Sequence, residues 1–198
     1  MKPFKILSIV GLLIIWLSFN HKQKLKYQDG DIIFQTTGGD IGKGIQMATH
    51  SKYNHCGILF YENNKWMVYE AIQPVCKTSL VEFNKRGVGT VKRLNTANFT
   101  NDQIQKLKMA FLKFNNKNYD EVYGWSDEKI YCSELVYKMY KNALNIELCM
   151  VKTFKDYDLS NPLVKEKLKD KFGKENPMDE NIVSPGDLFD SEKLVLVK

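Results

Sequence analysis

The stretch that decides the fold is "HCGILFYENNKWMVYEAI", His55 to Ile72. Its two apolar runs flank the pair Asn63 and Asn64, and asparagine tolerates the positive φ that a tight hairpin turn requires. Both runs carry apolar residues on both of their faces, a pattern typical of strands that are covered on each side. The stretch therefore predicts a β-hairpin in the central, buried part of a sheet.

A hairpin tip at the two asparagines also fixes the register of the two strands. In this register Gly57 faces Glu70, and His55 lies diagonally from Glu70 on the same face, with the two Cβ atoms roughly 7 to 8 Å apart. Gly57 has no side chain to obstruct the path of the carboxylate towards the imidazole. A shift of one residue would move Glu70 to the other face of the sheet.

Glu70 lies in the apolar strand "MVYEAI", where burial of a carboxylate is costly unless a partner compensates the charge. The imidazole of His55 is a natural partner. A hydrogen bond from one ring nitrogen to the carboxylate would fix the tautomer and leave the other nitrogen as a base. We therefore predict that His55 is a catalytic base oriented by Glu70, the alternative being a structural histidine at the start of a strand.

Cys132 begins the amphipathic helix predicted for residues 131–143, within "KIYCSELVYKMY". A thiol in the first turn of a helix feels the positive end of the helix dipole, and a neighbouring imidazolium lowers its pKa further. If this helix packs against the face that carries His55 and Glu70, then Cys132 is the nucleophile of a catalytic trio. Glu134, close behind it, is expected to serve the dipole and the cap of the helix.

The remaining segments predict an α+β domain. The predicted strands lie in 26–37, in 87–94 and at the end of the chain, after a turn at Pro185 and Gly186. The predicted helices lie in 41–48 and after the capping residue Thr100, with a short helix and a surface excursion in 155–179.

A chain of 198 residues with 43% hydrophobic content is long enough for one core, so we expect one domain over 22–198. Residues 1–21 have a basic start and then an apolar run, which is typical of a secretory signal peptide. The run is shorter than the roughly 20 residues of a spanning helix. Because a clean cleavage site is missing, an N-terminal membrane anchor is the alternative, and either predicts an exported, periplasmic or cell-envelope protein.

The net charge of +6 comes from dispersed lysines and does not form a basic patch. After export, the expected anionic partners are lipid headgroups or acidic cell-wall polymers, and not nucleic acid. Cys56, Cys76 and Cys149 are too scattered for a disulfide scaffold or a zinc site, and we expect them to be small buried residues. No metal and no organic cofactor is expected.

Six segments of the chain resemble one known family when they are taken together and in order. They are "GDIIF", "QMATHSKYNHCGIL", "YEA", "NYD", "YCSELVY" and "SPGDL". Between Tyr27 and Val197 the chain is similar to the permuted papain-like amidases, the YiiX/YaeF-like branch of the NlpC/P60 superfamily. Each segment alone is a modest signal, but their joint order is specific.

The resemblance implies a circularly permuted papain-like fold, in which an antiparallel sheet packs against helices that include the nucleophile helix. The order His55, Glu70, Cys132 agrees with that permutation. The resemblance implies that His55 is the histidine of the "HxGI" strand, Cys132 the nucleophile of "YCSEL" and Glu70 the polar third member. Cys56 departs from the family, where an aliphatic residue is expected, and it should point to the face opposite to His55.

The resemblance also implies a substrate site shaped by Tyr119 and Asp120, which lie upstream of the nucleophile, and by Tyr131, the aromatic residue directly before it. The implied function is a cysteine-dependent hydrolase or amidase that cleaves an amide or peptide bond, with cell-wall peptide as one substrate. One alternative is a lipid-directed acyl hydrolase or acyltransferase of the same fold. The other is a noncatalytic module that binds wall peptide or lipid, which predicts that a member of the trio is misplaced.

Overall fold

The structure is a computed structural model that describes residues 27–96, 98–173, 175 and 177–197. The leader predicted for residues 1–21 lies outside the described residues. Among the residues that are described, no helix has the length and apolar character needed to cross a membrane.

The described residues form eight short strands, six α-helices and one 3-10 turn. The strands are β1 Ile32–Gln35, β2 His55–Glu62, β3 Lys65–Glu70, β4 Cys76–Ser79, β5 Thr90–Leu94, β6 Lys152–Thr153, β7 Asn181–Ile182 and β8 Leu194–Leu196. The helices are α1 Asp40–Thr49, α2 Leu80–Lys85, α3 Asn101–Leu112, α4 Cys132–Leu144, α5 Pro162–Phe172 and α6 Pro185–Phe189, and the 3-10 turn is Phe154–Asp156.

Six strands form an antiparallel sheet in the order β4-β3-β2-β1-β5-β8, and β6 pairs with β7 in a separate ribbon. The sheet packs against helices, so the α+β prediction is confirmed. The position of β2 between β3 and β1 also confirms that the hairpin lies in the middle of the sheet.

The predicted hairpin register is confirmed. Tyr61 pairs with Trp66 and Ile58 with Tyr69, and the turn residues have positive φ angles of 48° at residue 63 and 62° at residue 64. The same register places Gly57 beside Glu70. A Cβ atom on Gly57 would lie 2.5 Å from Cγ1 of Val68 and 3.2 Å from Cβ of Glu70, so only glycine fits here.

The two faces of the sheet carry different layers. The larger core lies between one face and helices α3 and α4, and it includes Cys56, Ile58, Phe60 and Tyr69 from the hairpin. The smaller core lies on the other face, where its buried members are Ile33, Leu59, Val68, Phe83 and Val91. Strand alternation assigns His55 and Glu70 to the side of the smaller core.

Helix α4 packs against the opposite face, so the condition under which the sequence placed Cys132 with His55 and Glu70, a helix on their face of the sheet, is not met. The physical reason is that this opposite face has the larger apolar surface. It presents Ile58, Phe60 and Tyr69 to the long helices. His55 is nevertheless the first residue of β2 and Cys132 the first residue of α4. The two side chains meet at the end of the strand.

The segment after Val183 also differs from its prediction. Residues 185–189 form the short helix α6, where a simple turn was expected. Its cap is Ser184, whose Oγ accepts a hydrogen bond from the backbone N–H of Asp187 at 3.0 Å. A proline in the first turn favours a helix start, because it lacks an N–H that would have no partner there. Strand β4 and helix α2 were not predicted.

The contacts around Gly57 generate a stability prediction. Gly57→Ala is expected to lower the free energy of unfolding by about 1 to 3 kcal/mol, because the new methyl group overlaps the β3 backbone and the side chain of Val68. Urea unfolding of both proteins measures the difference.

The matched control is Gly38→Ala, since no atom of the described residues lies within 4 Å of a Cβ built on Gly38. This control should stay within about 0.5 kcal/mol of the parent. Equal stability of the two variants would contradict the close approach of β2 and β3.

Candidate active site

His55 and Glu70 form the closest polar contact of the candidate site. Nε2 of His55 lies 2.6 Å from Oε2 of Glu70, a hydrogen bond between two side chains that are 10% and 0% exposed. Burial tends to raise the pKa of Glu70, but hydrogen bonds from His55, Thr78 and Arg86 outweigh it and lower the pKa. Glu70 is thus an ionised acceptor that leaves Nδ1 of His55 free to face another group.

Arg86 forms a salt bridge with the carboxylate of Glu70. Its Nη2 lies 2.6 Å from Oε1 and 2.8 Å from Oε2 of Glu70. Phe83 lies between the two partners of Glu70, with its ring 5.7 Å from the His55 ring at an interplanar angle of 29° and 5.2 Å from the guanidinium carbon. Arg86 was not among the residues predicted for the site.

Cys132 occupies the first position of α4, where backbone N–H groups have no partner within the helix. Glu134 caps the N-terminal end of α4, as expected, because its Oε2 accepts a hydrogen bond from the backbone N–H of Tyr131 at 3.3 Å. Burial raises the pKa of Glu134 to about 8, against the effect of Lys138, whose Nζ lies 2.7 Å from Oε1. The carboxyl group therefore serves the helix end and does not contact the sulfur.

The thiol of Cys132 has a pKa well below its ordinary value. The largest cause is a hydrogen bond from the thiol of Cys56; burial opposes the shift, and the hydrogen bond and charge of His55 add to it. The backbone N–H of Cys56 contributes in the same direction. Cys56 does point away from His55, as predicted, but that direction leads to α4 and to the sulfur of the candidate nucleophile.

His55 is correspondingly held in its charged form. Burial lowers the pKa of His55, but its hydrogen bonds with Cys132 and Glu70 outweigh burial and raise the pKa to about 9. With the pKa of the thiol lowered and that of the ring raised, the resting site is a thiolate–imidazolium pair at neutral pH. Such a pair is an activated nucleophile with a proton donor beside it.

Tyr119 and Asp120 lie on a segment that is tied to the start of α4. The backbone N–H of Asp120 donates to the carbonyl of Ile130 at 3.2 Å, and the N–H of Ile130 donates to Asn118 at 3.2 Å. This bridge brings the hydroxyl of Tyr119 close to Cys132. Burial, followed by the charge of Cys132, raises the pKa of Tyr119 well above its usual range, so the hydroxyl keeps its proton.

Asp120 and Tyr131 have different positions relative to the sulfur. Asp120 is buried, and its Oδ1 accepts from the backbone N–H of Val122 at 3.0 Å, so it shapes the turn that follows Tyr119. Tyr131 lines a cleft beside the sulfur, and its hydroxyl accepts from the backbone N–H of Val183 at 3.2 Å. Of these two residues, only Tyr131 borders space that a substrate could enter.

This cleft extends from Cys132 between helices α1 and α5. The space that it encloses is about 100 Å³, which is smaller than the roughly 300 to 1,000 Å³ of typical small-molecule sites, and the cleft is partly open to solvent. Its long walls are mainly apolar, with Ile41, Ile45, Ala48, Val164, Leu168 and Phe172 from the two helices. Helix α5 is the short helix that the sequence predicted within residues 155–179.

A family model for the permuted papain-like amidases of the YaeF/YiiX type, the C92 family, matches residues 26–198. The chain belongs to this family. Membership establishes that it is an enzyme of the cysteine-type papain-like class, and it confirms the circularly permuted papain-like fold.

Two relatives of this amidase are similar over most of their length. The chain is 40% identical to YiiX of Escherichia coli strain K12 over 173 residues, which is 86% of this chain and 85% of the relative. It also superposes on the crystal structure of YiiX from Escherichia coli O157:H7 with a TM-score of 0.84 and 41% identity, over 87% of this chain and 97% of that one.

The YiiX protein of Escherichia coli O157:H7 is described as a metalloprotein. In the described part of this amidase, no three histidine, cysteine, aspartate or glutamate side chains are grouped as ligands of a metal ion would be. Nε2 of His55 is already directed at Glu70. The described side chains of this site therefore do not fit a resident metal ion.

Two features of the site could have been found in the sequence. The hairpin register places Cys56 on the same face as Ile58 and Phe60, and that bulky face is the better partner for a long apolar helix. The contact between Cys56 and Cys132 follows from that choice. Arg86 carried no such signal, because a single arginine after a short helix has no pattern that points to Glu70.

The charge state of the site predicts the alkylation behaviour of the cysteines. In the full chain at pH 6, iodoacetamide should modify Cys132 far ahead of Cys56, Cys76 and Cys149, because the pKa of Cys132 is lowered, whereas burial raises the pKa of Cys56 and of Cys149. His55→Ala should move the apparent pKa of Cys132 upward. Rates between pH 5 and 9, mapped by mass spectrometry of peptides, measure both effects.

The hydrogen bond from Cys56 makes a separate prediction. Cys56→Val removes the donor with little change in volume and should raise the apparent pKa of Cys132, whereas Cys56→Ser keeps a donor and should remain closer to the parent. Cys76→Val is the matched control, since Cys76 lies in β4 and its thiol contacts Thr78. An unchanged pH profile in Cys56→Val would show that this hydrogen bond has no influence on the nucleophile.

Proposed function

We propose that this amidase hydrolyses an amide or ester bond through the catalytic trio Cys132, His55 and Glu70. The observation that carries the proposal is the position of the His55 ring, which lies 2.6 Å from the carboxylate of Glu70 and beside the thiol of Cys132, whose pKa it lowers. A nucleophile, a base and a group that orients the base are the parts that covalent acyl transfer needs.

In the first half of the reaction, the Cys132 thiolate attacks the carbonyl carbon of the substrate. Backbone N–H groups in the first turn of α4 and the hydroxyl of Tyr119 lie beside the sulfur, where they can donate to the developing oxyanion. Nδ1 of the His55 imidazolium then protonates the leaving nitrogen or oxygen. The bond to the leaving group breaks, and the acyl group remains on Cys132 as a thioester.

In the second half, a water molecule replaces the leaving group. Neutral His55 accepts a proton from this water at Nδ1 while the oxygen attacks the thioester carbonyl. The carbon–sulfur bond breaks, the carboxylic acid product departs, and the thiolate–imidazolium pair is restored. Glu70 keeps the proton on Nε2 throughout, so that Nδ1 is the nitrogen that exchanges protons.

The arrangement around the sulfur separates the two ends of the substrate. Cys132 lines the apolar cleft, and His55 is not among the residues described along its walls. The leaving group must depart on the side of His55, which supplies its proton. The acyl group, which stays attached to Cys132, therefore extends into the cleft.

The composition of the cleft favours an aliphatic acyl group over a cell-wall peptide. Stem peptides of the wall carry several carboxylates, which need basic partners in a site. The cleft contains two lysines, but Lys167 pairs with Glu166 at 3.0 Å and with Asp170 at 3.4 Å, and Lys171 donates to the carbonyl of Glu121. Among the alternatives that the sequence left open, the lipid-directed acyl hydrolase is thus the better supported.

The test of this function is a panel of p-nitroanilides and p-nitrophenyl esters with acetyl, butyryl, octanoyl and dodecanoyl groups, beside a purified wall peptide. If the acyl chain is buried in the cleft, kcat/KM should rise by up to about fourfold for each added methylene group. This factor corresponds to the roughly 0.8 kcal/mol that burial of one methylene contributes. Cys132→Ala should abolish turnover.

With the anilides, the rate should fall above about pH 9, where His55 loses the proton that the leaving group needs.

Gly44→Phe tests the cleft itself. A Cβ on Gly44 would meet only the flexible side chain of Lys167, at 4.0 Å, so α1 can carry a larger side chain here that fills the cleft. Activity on dodecanoyl substrates should fall at least tenfold, while activity on acetyl substrates stays within about twofold. Gly44→Ala, which adds one methyl group, is the matched control.

Two outcomes would contradict the proposal in different ways. Faster turnover of the wall peptide than of every acyl substrate would favour a wall-peptide amidase instead. No turnover of any substrate, with tight binding of dodecanoate that Gly44→Phe removes, would support the noncatalytic binding module.

A further inference from the structure

Arg86 is fixed in place by elements that the catalytic trio does not use. Helix α2 is capped by Ser79, whose Oγ accepts from the backbone N–H of Glu82 at 3.2 Å. At the other end of the helix, Gln35 of β1 donates to the carbonyl of Phe83 at 2.7 Å, and the N–H of Arg86 donates to the same carbonyl at 3.1 Å. The guanidinium group is thereby held at the edge of the sheet with 34% of its side chain exposed.

The surroundings of Glu70 contain one permanent positive charge. The groups that face the carboxylate are His55 from β2, Thr78 from β4 and Arg86 after α2. Cys76, the backbone partner of Glu70 in β4, directs its thiol to Thr78 at 3.7 Å. Thr78 is neutral and His55 changes its charge during catalysis, so within the described residues Arg86 alone compensates the carboxylate at every stage.

The need for that charge differs between the two halves of the reaction. In the resting site, the His55 imidazolium lies between two negative groups, the Cys132 thiolate and the carboxylate of Glu70. After the leaving group has taken the proton, the ring is neutral and the sulfur is bound in a thioester. Glu70 then remains a buried carboxylate whose only charged neighbour among the described residues is Arg86.

A change in the protonation of Glu70 at this stage would stop the second half of the reaction. If the carboxylate gained a proton from solvent, its O–H would donate to Nε2, and the neutral ring would carry its single proton on Nδ1. A ring in that form cannot accept a proton from the attacking water at Nδ1. The thioester would persist, even though the first half of the reaction had gone normally.

We propose that Arg86 is a positioning residue for deacylation: it keeps Glu70 ionised while His55 is neutral, and so it keeps the proton of His55 on Nε2. The inference rests on the proposed function, because it requires a thioester on Cys132. It goes beyond that function by assigning one half of the reaction to a residue that does not touch the substrate.

The experiment compares Arg86→Met and Arg86→Lys with the parent in the full chain, using p-nitrophenyl octanoate in rapid mixing. The p-nitrophenolate group leaves without a proton, so the burst reports attack by Cys132 and the steady state reports deacylation. Arg86→Met should keep a burst of one equivalent within about threefold of the parental rate and lose about 10- to 100-fold in the steady state. Arg86→Lys should recover most of that loss.

Two further readouts separate this role from a structural one. Intact-mass spectrometry should show the octanoyl thioester accumulating in Arg86→Met, and the acid limb of the steady-state rate should move to higher pH. Lys85→Met is the matched control, because Lys85 precedes Arg86, is exposed and pairs with Glu82 at 2.7 Å. Lys85→Met also removes one positive charge, and it should leave both the burst and the steady-state rate unchanged.

A steady-state rate of Arg86→Met within twofold of the parent would overturn the inference. A parallel loss of burst and steady state that follows the fraction of folded protein would also overturn it and leave Arg86 a structural role. If the parent releases no more p-nitrophenol than Cys132→Ala, the proposed function itself fails, and the role of Arg86 fails with it. Only a selective loss of the second phase supports both.

Discussion

The buried carboxylate of Glu70 is the constraint on which the site depends. A fully buried carboxylate costs several kcal/mol unless charged or hydrogen-bonding partners compensate it. Here the partners are His55, Thr78 and Arg86, which come from β2, β4 and the end of α2. Because these three elements must meet at one carboxylate, the register of the hairpin, the edge of the sheet and the short helix are fixed together, and so is the orientation of the imidazole.

The site lies across the end of a strand and not on one face of the sheet. His55 and Glu70 belong to the side of the smaller core, whereas Cys132 comes from a helix on the side of the larger one. This arrangement separates two tasks in space. The charges that control the proton lie on the side of the smaller core, and the apolar cleft opens beside the sulfur.

Cys56 shows how strand alternation supplies both sides of the site from consecutive residues. His55 reaches the sulfur around the end of β2, and the next residue contacts it through the opposite face. The thiolate of Cys132 is therefore supported by two adjacent residues of one strand. An aliphatic residue, which the family resemblance led us to expect at position 56, would supply the packing without the hydrogen bond from a side chain.

By itself, the sequence determined the hairpin and its register, because Asn63 and Asn64 set the turn and the pleat then places His55 and Glu70 on one face. It also determined the order of the three candidate residues, since that is linear information. The tertiary structure alone decided which face receives α4, that α1 and α5 enclose a cleft, and that Arg86 reaches Glu70. Turn chemistry and periodicity act over a few residues and are visible in the chain, whereas these contacts join segments whose meeting depends on how the whole core packs.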